Sequence, residues 1–262
     1  MRALRPLLIV AALLYGVYGV ASIALHRSLI YPMSDQAFTD TRFERVAVPV
    51  PDGSVIDVFV YQNDIRAPVA LYFMGNVGAL ELFRPMLNHH ISKGRSVVAM
   101  TYRGGGGMAG QATEARLKSD ALAVFDSLPD LVDSAAVFLH GYSLGTGLAV
   151  HVAAHRETQT VVLSAPFDKM CDLMTAASFL PACLLPVDRW VTSQDAANVI
   201  EPVLILHGSA DTLIPLKHGA ALAAIFETQG TPVRFVEIPG AGHTNLMRFP
   251  FYLSTLDAFL DG

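Results

Sequence analysis

A serine framed by glycines, Gly141-Tyr142-Ser143-Leu144-Gly145 within "LHGYSLGTGLAV" (139–150), suits two chemistries. One is nucleophilic attack by Ser143 on an acyl carbon; the other is a glycine-rich cradle for a phosphate. The phosphate readings fit poorly. A Walker loop closes on Lys-Ser or Lys-Thr, whereas Gly147 is followed by Leu148, and a dinucleotide fingerprint begun at Gly145 and Gly147 would need its third glycine at Val150. A serine nucleophile needs a base and an acid to orient that base. "VLILHGSADTLIP" places Asp211 after an apolar run, and "VEIPGAGHTNL" places His243 after a later one. In the chain order Ser, Asp, His, Ser143 is the expected nucleophile, Asp211 the acid and His243 the base. His243 would take the Ser143 proton and return it to the leaving group, while Asp211 fixes the imidazole tautomer and stabilises the imidazolium. Singly, Asp211 reads equally as a turn or capping residue and His243 as a lone loop histidine; their ordered placement at strand ends sets them apart. Asp168, in "SAPFDKM", also follows an apolar run and is the rival acid.

Attack on an acyl carbon creates an oxyanion, which needs fixed N–H donors. The backbone N–H of Leu144, just past the nucleophile, is one expected donor. The N–H of Asn76 in "LYFMGNVGAL" is the other, with Gly75 letting the backbone bend.

The elements that must hold these residues are legible as apolar runs. "FERVAVPV" (43–50) and "VIDVFVY" (55–61), joined by Pro51-Asp52-Gly53, read as a hairpin. Strands are then expected at 69–73, 96–100, 135–140, 160–164, 203–207 and 233–238, their near-continuous hydrophobicity suiting a parallel sheet buried on both faces. Helical spacing appears at 77–92, 112–128, 144–156, 216–228 and 245–260. The expected fold class is therefore α/β, a mostly parallel eight-stranded sheet with helices on both faces. Ser143 falls at a sharp strand-to-helix turn, with Gly141 and Gly145 relieving collisions and Gly147 letting the following helix pack tightly on the sheet. Residues about 166–200, with Pro166, Pro181, Pro186 and the sole tryptophan, Trp190, are too long for a plain connection and are expected to form a small cap.

Ahead of this domain, "PLLIVAALLYGVYGVASIAL" runs uncharged from Pro6 to Leu25, about twenty residues and long enough to cross a bilayer. Residues 1–27 are expected to be an uncleaved signal-anchor and 28–262 the catalytic domain; cleavage and secretion is the alternative, with Ser22-Ile23-Ala24 a poor cleavage site. Arg2 and Arg5 against Arg27 favour the domain on the extracytoplasmic side. A net charge of −5 with scattered basic residues argues against nucleic acid. Cys171 and Cys183 read equally as a disulfide or two thiols. No metal or cofactor is expected: His89-His90 and His151/His155 lack further ligands and read as solvated helix-face residues, and the Gly104–Gly107 run reads as a flexible loop rather than a phosphate site.

Together "LYFMGNVG", "YRGGGGMAGQATE", "HGYSLGTGLA", "LHGSADTLIP" and "PGAGHTNL", behind an anchor ending "SLIYP", resemble the α/β-hydrolase superfamily, and within it membrane-anchored serine hydrolases with an abhydrolase domain. The resemblance spans about residues 28–262. It implies that fold, Ser143, Asp211 and His243 as the triad, and Asn76 with Leu144 as oxyanion donors. Met74 stands where the family usually carries a histidine that helps to hold the oxyanion loop, and Gly106 and Met108 stand where relatives often have an aromatic residue and serine. The expected activity is hydrolysis of a carboxylic ester or thioester, on a small-molecule or lipid-like acyl substrate, through an acyl-enzyme. Peptide or amide cleavage by the same residues, and a catalytically weak binding protein at the membrane, are the alternatives.

Overall fold

The computed structural model describes residues 4–133 and 136–262. Arg2, one of the flanking charges, and Ala135, first residue of an expected strand, lie outside the described residues. The apolar runs fold as β1 (Glu44–Pro49), β2 (Val55–Tyr61), β3 (Val69–Phe73), β4 (Ser96–Met100), β5 (Val137–Tyr142), β6 (Val161–Ser164), β7 (Val203–Gly208) and β8 (Val233–Ile238). They form one eight-stranded sheet in the order β1-β2-β4-β3-β5-β6-β7-β8. The β1–β2 hairpin is antiparallel, as is β2 to β4; the remaining pairings are parallel. Every residue of β3, β4, β6 and β7 is buried, which is why their sequences show no alternation. β2, near the edge, alternates between buried and more exposed positions.

Nine α-helices are assigned among the described residues: α1 (Leu4–Ile30), α2 (Arg84–Ser92), α3 (Glu114–Asp126), α4 (Leu128–Leu131), α5 (Leu144–Ala153), α6 (Met170–Ser178), α7 (Thr192–Ala196), α8 (Leu216–Gln229) and α9 (Pro250–Leu260). α3, α5, α7 and α8 pack in series as one layer. On the other face α2 and α9 are joined by Asp257, which pairs with His89, Lys93 and Arg95. The helices expected from 77 and 245 start later, at Arg84 and Pro250, each after a short 3₁₀ turn. Pro85 and Pro250 explain the delay: proline is favoured in a first turn, where its missing N–H costs no hydrogen bond.

Three expectations about single residues are corrected. His151 is neither fully solvated nor without a neighbouring ligand group: its Nδ1 lies 3.0 Å from Asp195 Oδ2, with His155 beside them. His90 is not a solvated helix-face residue: it is fully buried under the sheet, with His90 Nε2 2.9 Å from His140 Nδ1. The polar chain continues from His140 Nε2 to Ser164 Oγ at 3.1 Å and on to the Tyr252 hydroxyl at 2.7 Å. Burial holds both imidazoles below their usual range, His140 to about 3. Gly147 packs not on the sheet but under Trp190 and Phe167, where a Cβ would lie 2.9 Å from the indole ring.

Within Pro6–Ile30 an 18-residue stretch reaches a mean hydropathy of 2.2, and α1 is exposed from residue 6 to 18. Its end is tied to the body. Ile30 and Tyr31 are buried, the Tyr31 hydroxyl donates to Asp188 Oδ2 at 2.8 Å, and Trp190 Nε1–H donates to the Tyr31 oxygen at 2.9 Å. The segment between β6 and β7 holds α6, a 3₁₀ turn at Ala182–Leu184 and α7, with Cys171 and Cys183 joined by a disulfide.

Candidate active site

Ser143 is the single residue between β5 and α5, with φ 53° and ψ −118°. Such a backbone is strained for any residue but glycine, at roughly 1–3 kcal/mol. Its surroundings enforce it. A Cβ on Gly141 would lie 2.4 Å from the Gly145 carbonyl oxygen, and one on Gly145 would lie 2.1 Å from that of Phe73. Only bare backbone lets the β5–α5 turn fold this tightly against the end of β3. The turn projects Ser143 over the carboxyl ends of the strands, and both functional loops follow strands at that same end, Asp211 after β7 and His243 after β8.

These three residues meet. His243 Nε2 lies 2.9 Å from Ser143 Oγ, and His243 Nδ1 lies 2.8 Å from Asp211 Oδ2. A carboxylate can only accept, so Nδ1 carries the proton and Nε2 is free to accept from the serine hydroxyl. Burial would raise the Asp211 carboxyl, but the hydrogen bond and charge of His243, with the Ile214 N–H, hold it below the usual carboxylate range. Its Oδ1 accepts from the backbone N–H groups of Leu213 and Ile214 at 3.0 and 2.8 Å. The rival acid sits elsewhere: Asp168 Oδ1 lies 2.5 Å from His218 Nδ1 on α8.

Asn76, Ser143 and Leu144 border one cavity of about 240 Å³, with Met170, Leu173 and Leu213 around it. Leu144 opens α5, so its N–H belongs to the unsatisfied first turn of a helix. The loop carrying Asn76 is held without the histidine that Met74 replaces. The fully buried Tyr102 hydroxyl donates to the Met74 carbonyl at 2.7 Å, and Asn76 Nδ2 donates to the Ile30 carbonyl at 2.8 Å. Gly75 has no positive φ; it makes room beside Phe83 and Tyr142, and the left-handed residue is Gly78. The glycine-rich run is not a loose loop. Gly104, Gly106 and Gly107 adopt positive φ, Gly106 N–H donates to the Ser34 carbonyl at 2.7 Å, and Gly105 packs on Gly78.

Sequence reasoning missed three supporting residues. Tyr102, Ile30 and Tyr142 brace the site, the last by donating from its hydroxyl to the His243 carbonyl. Tyr142 lies inside the glycine motif and Tyr102 just past β4, at the head of the glycine run, the only signal either gave. Nothing in an apolar helix marks Ile30.

Residues 83–250 match the prolyl oligopeptidase family. Among curated proteins, the chain is 30% identical over 205 residues to the uncharacterized Mycobacterium tuberculosis protein Rv2307c, covering 76% of this chain and 72% of that one. It is 29% identical over 167 residues to human alpha/beta hydrolase domain-containing protein 17B, covering 63% of this chain and 56% of that protein. Among solved structures, the Pyrococcus furiosus esterase Pf2001 superposes with a TM-score of 0.71 at 17% identity, over 88% of this chain and 97% of that one. Est1E of Butyrivibrio proteoclasticus with bound ferulic acid superposes with a TM-score of 0.65 at 16% identity, over 82% and 97%. The two structures share the α/β-hydrolase fold with this chain.

Proposed function

The chain belongs to the prolyl oligopeptidase family, and from that premise we propose that it is a serine hydrolase cleaving carboxylic esters or thioesters through an acyl-enzyme. The observation that carries this reading is the hydrogen-bonded chain from Ser143 through His243 to Asp211, at 2.9 and 2.8 Å. Ser143 Oγ attacks the acyl carbon as its proton passes to His243 Nε2. Charge gathers on the former carbonyl oxygen and is met by the N–H groups of Leu144 and Asn76. Collapse breaks the bond to the alcohol or thiol, which leaves with the proton from His243. Water then gives a proton to the same nitrogen and attacks the acyl carbon; Ser143 regains its proton as the acid departs. Asp211, ionised throughout, holds the imidazole in place and balances the imidazolium.

Within the family we assign the chain to the membrane-anchored abhydrolase-domain proteins, with residues 1–27 as the anchor, 28–262 as the hydrolase domain and about 166–200 as its cap. An anchor that is kept, rather than a cleaved signal, is supported by the bonds from α1 to the rest of the chain. Tyr15 and Tyr18 donate to the carbonyls of Phe179 and Ser178, and Ile30 accepts from Asn76. The Cys171–Cys183 disulfide supports an extracytoplasmic domain, where disulfides persist.

A fluorophosphonate probe tests the nucleophile: the protein should be labelled at Ser143, and Ser143→Ala should not be. Equal labelling of the variant, or none of the wild type, would sink the assignment. The family match favours a second reading, hydrolysis of amide or peptide bonds by the same residues. A panel of esters of graded chain length, a thioester and a peptide would separate the two through kcat/KM.

A further inference from the structure

Beyond the cavity at Ser143 lies a second, of about 570 Å³, between α1 and the segment that links β6 to β7. Leu29, Met174 and Ala177 line both cavities, so the two share part of their walls. One of these is a methionine, whose unbranched chain changes rotamer readily. Neither cavity is lined by an aspartate, glutamate, lysine or arginine. We propose that the two form one groove for a single long acyl chain of a membrane-resident ester, entering sideways from the bilayer between α1 and the cap. This rests on the serine-hydrolase reading and adds to it a substrate class and a route.

The length fits. The outer cavity follows α1 from Tyr18 to Leu29, about 16 Å at the rise of an α-helix. That is half of a hydrocarbon core of about 30 Å, the depth of one leaflet and so of one acyl chain. The depth in the membrane follows from α1 itself. Its exposed stretch, residues 6–18, bonded to the cap rim through Tyr15 and Tyr18, spans about 20 Å and leaves the hydrocarbon core about 10 Å short. The next two turns, which run against the cap, must make up the difference and carry the cap rim into the hydrocarbon. The rim is built for that position. Phe179 and Leu184 are 85% and 84% exposed. The backbone carbonyls of Phe179 and Ser178 accept from Tyr15 and Tyr18, both at 3.0 Å, so neither is left unpaired in lipid. Ala21 and Leu25 on α1 and Leu180 and Leu185 opposite line the channel inward, and its far end is the cavity holding Ser143, Asn76 and Leu144.

The test uses full-length protein in phosphatidylcholine vesicles, with umbelliferyl esters of two-carbon and sixteen-carbon acids at equal mole fraction. Ala21→Trp, which fills the outer cavity, should lower the long-to-short ratio of kcat/KM by roughly tenfold or more, equivalent to losing about two buried methylenes. Val20→Trp, on the lipid-facing side at 69% exposure, should keep the wild-type ratio. A second readout needs no catalysis: Ser143→Ala protein in the same vesicles is irradiated with hexadecanoic acid bearing a diazirine beside its carboxyl group. Adducts are expected on Met170, Leu173 or Leu213, and Ala21→Trp should abolish them. Such adducts, together with no ester hydrolysis by the wild-type protein, would support the groove while ending the serine-hydrolase reading. A ratio indifferent to Ala21→Trp, or adducts absent from the Ser143 end, would overturn the groove.

Discussion

Asn76→Ala isolates the tie between the oxyanion loop and the end of α1. It keeps the backbone N–H proposed to meet the oxyanion and deletes the side-chain amide, whose Nδ2 donates to the Ile30 carbonyl at 2.8 Å. A bond of this kind contributes about 1 kcal/mol net. Three other contacts still hold the loop: Tyr102 to the Met74 carbonyl, Ser34 N–H to the Val77 carbonyl and Gly78 N–H to the Gly75 carbonyl. Outright removal of an oxyanion donor costs about 100- to 1,000-fold in kcat. A loosened donor should cost less, and 1 kcal/mol of lost preorganisation corresponds to roughly fivefold. We expect Asn76→Ala to lower kcat on a short soluble ester about fivefold with KM almost unchanged. Asn76→Asp should be worse, because it sets a carboxylate against the Ile30 carbonyl and beside the developing negative charge. Steady-state kinetics of full-length protein decide the matter. Unchanged kcat in both variants would refute the positioning role, and a raised KM at constant kcat would mean that Asn76 contacts the bound substrate instead.

Asp211→Asn should cost roughly 10⁴ in kcat through loss of the correct His243 tautomer, whereas Asp168→Asn, whose partner is His218, should lower thermal stability and leave kcat within about tenfold; equal losses would transfer the acid role to Asp168. His90 and His140 are neutral in the fold because burial depresses them, His140 to about 3. Below their ordinary pKa the unfolded chain binds protons that the native protein does not, so stability falls as pH drops from about 6.5 towards 3, by up to about 1.4 kcal/mol per pH unit for each histidine. Urea melts at stepped pH should show that slope, and His140→Gln should flatten it. The Cys171–Cys183 bridge closes a loop with a sequence separation of 12, so replacing both cysteines by serine should cost about 2–3 kcal/mol; the reduced wild-type protein should melt with that variant.

The sheet was legible because its central strands are buried on both faces and carry few polar residues, Ser96, His140, Ser164 and His207 among them, so each shows as a nearly continuous apolar run. The Ser143 elbow was legible for a related reason, since glycine is the only residue that fits where β5, α5 and β3 converge. Residues that act at a distance left no such trace. His89 and His90 are adjacent and chemically identical, yet one pairs with Asp257 at the protein's margin and the other lies under the sheet. A helix reading gives the angle between them but not which face is covered. Gly147 reads from the sequence as a packing position on the sheet, but its partner, Trp190, arrives from a segment with no periodicity to place it. The same holds for Ile30: a helix apolar all round has no marked face, so its contact with Asn76 emerges only when the chain is folded.

No loop separates α1 from the body: Ile30 and Tyr31 are already buried, and Asp188 receives the Tyr31 hydroxyl with His26 and Arg27 close by. With α1 in a bilayer, the catalytic mouth cannot tumble and meets its substrates by lateral diffusion at a fixed height. Turnover of a lipid ester would then follow its mole fraction in the surface rather than its bulk concentration. Adding inert lipid at constant total substrate should slow the reaction by surface dilution.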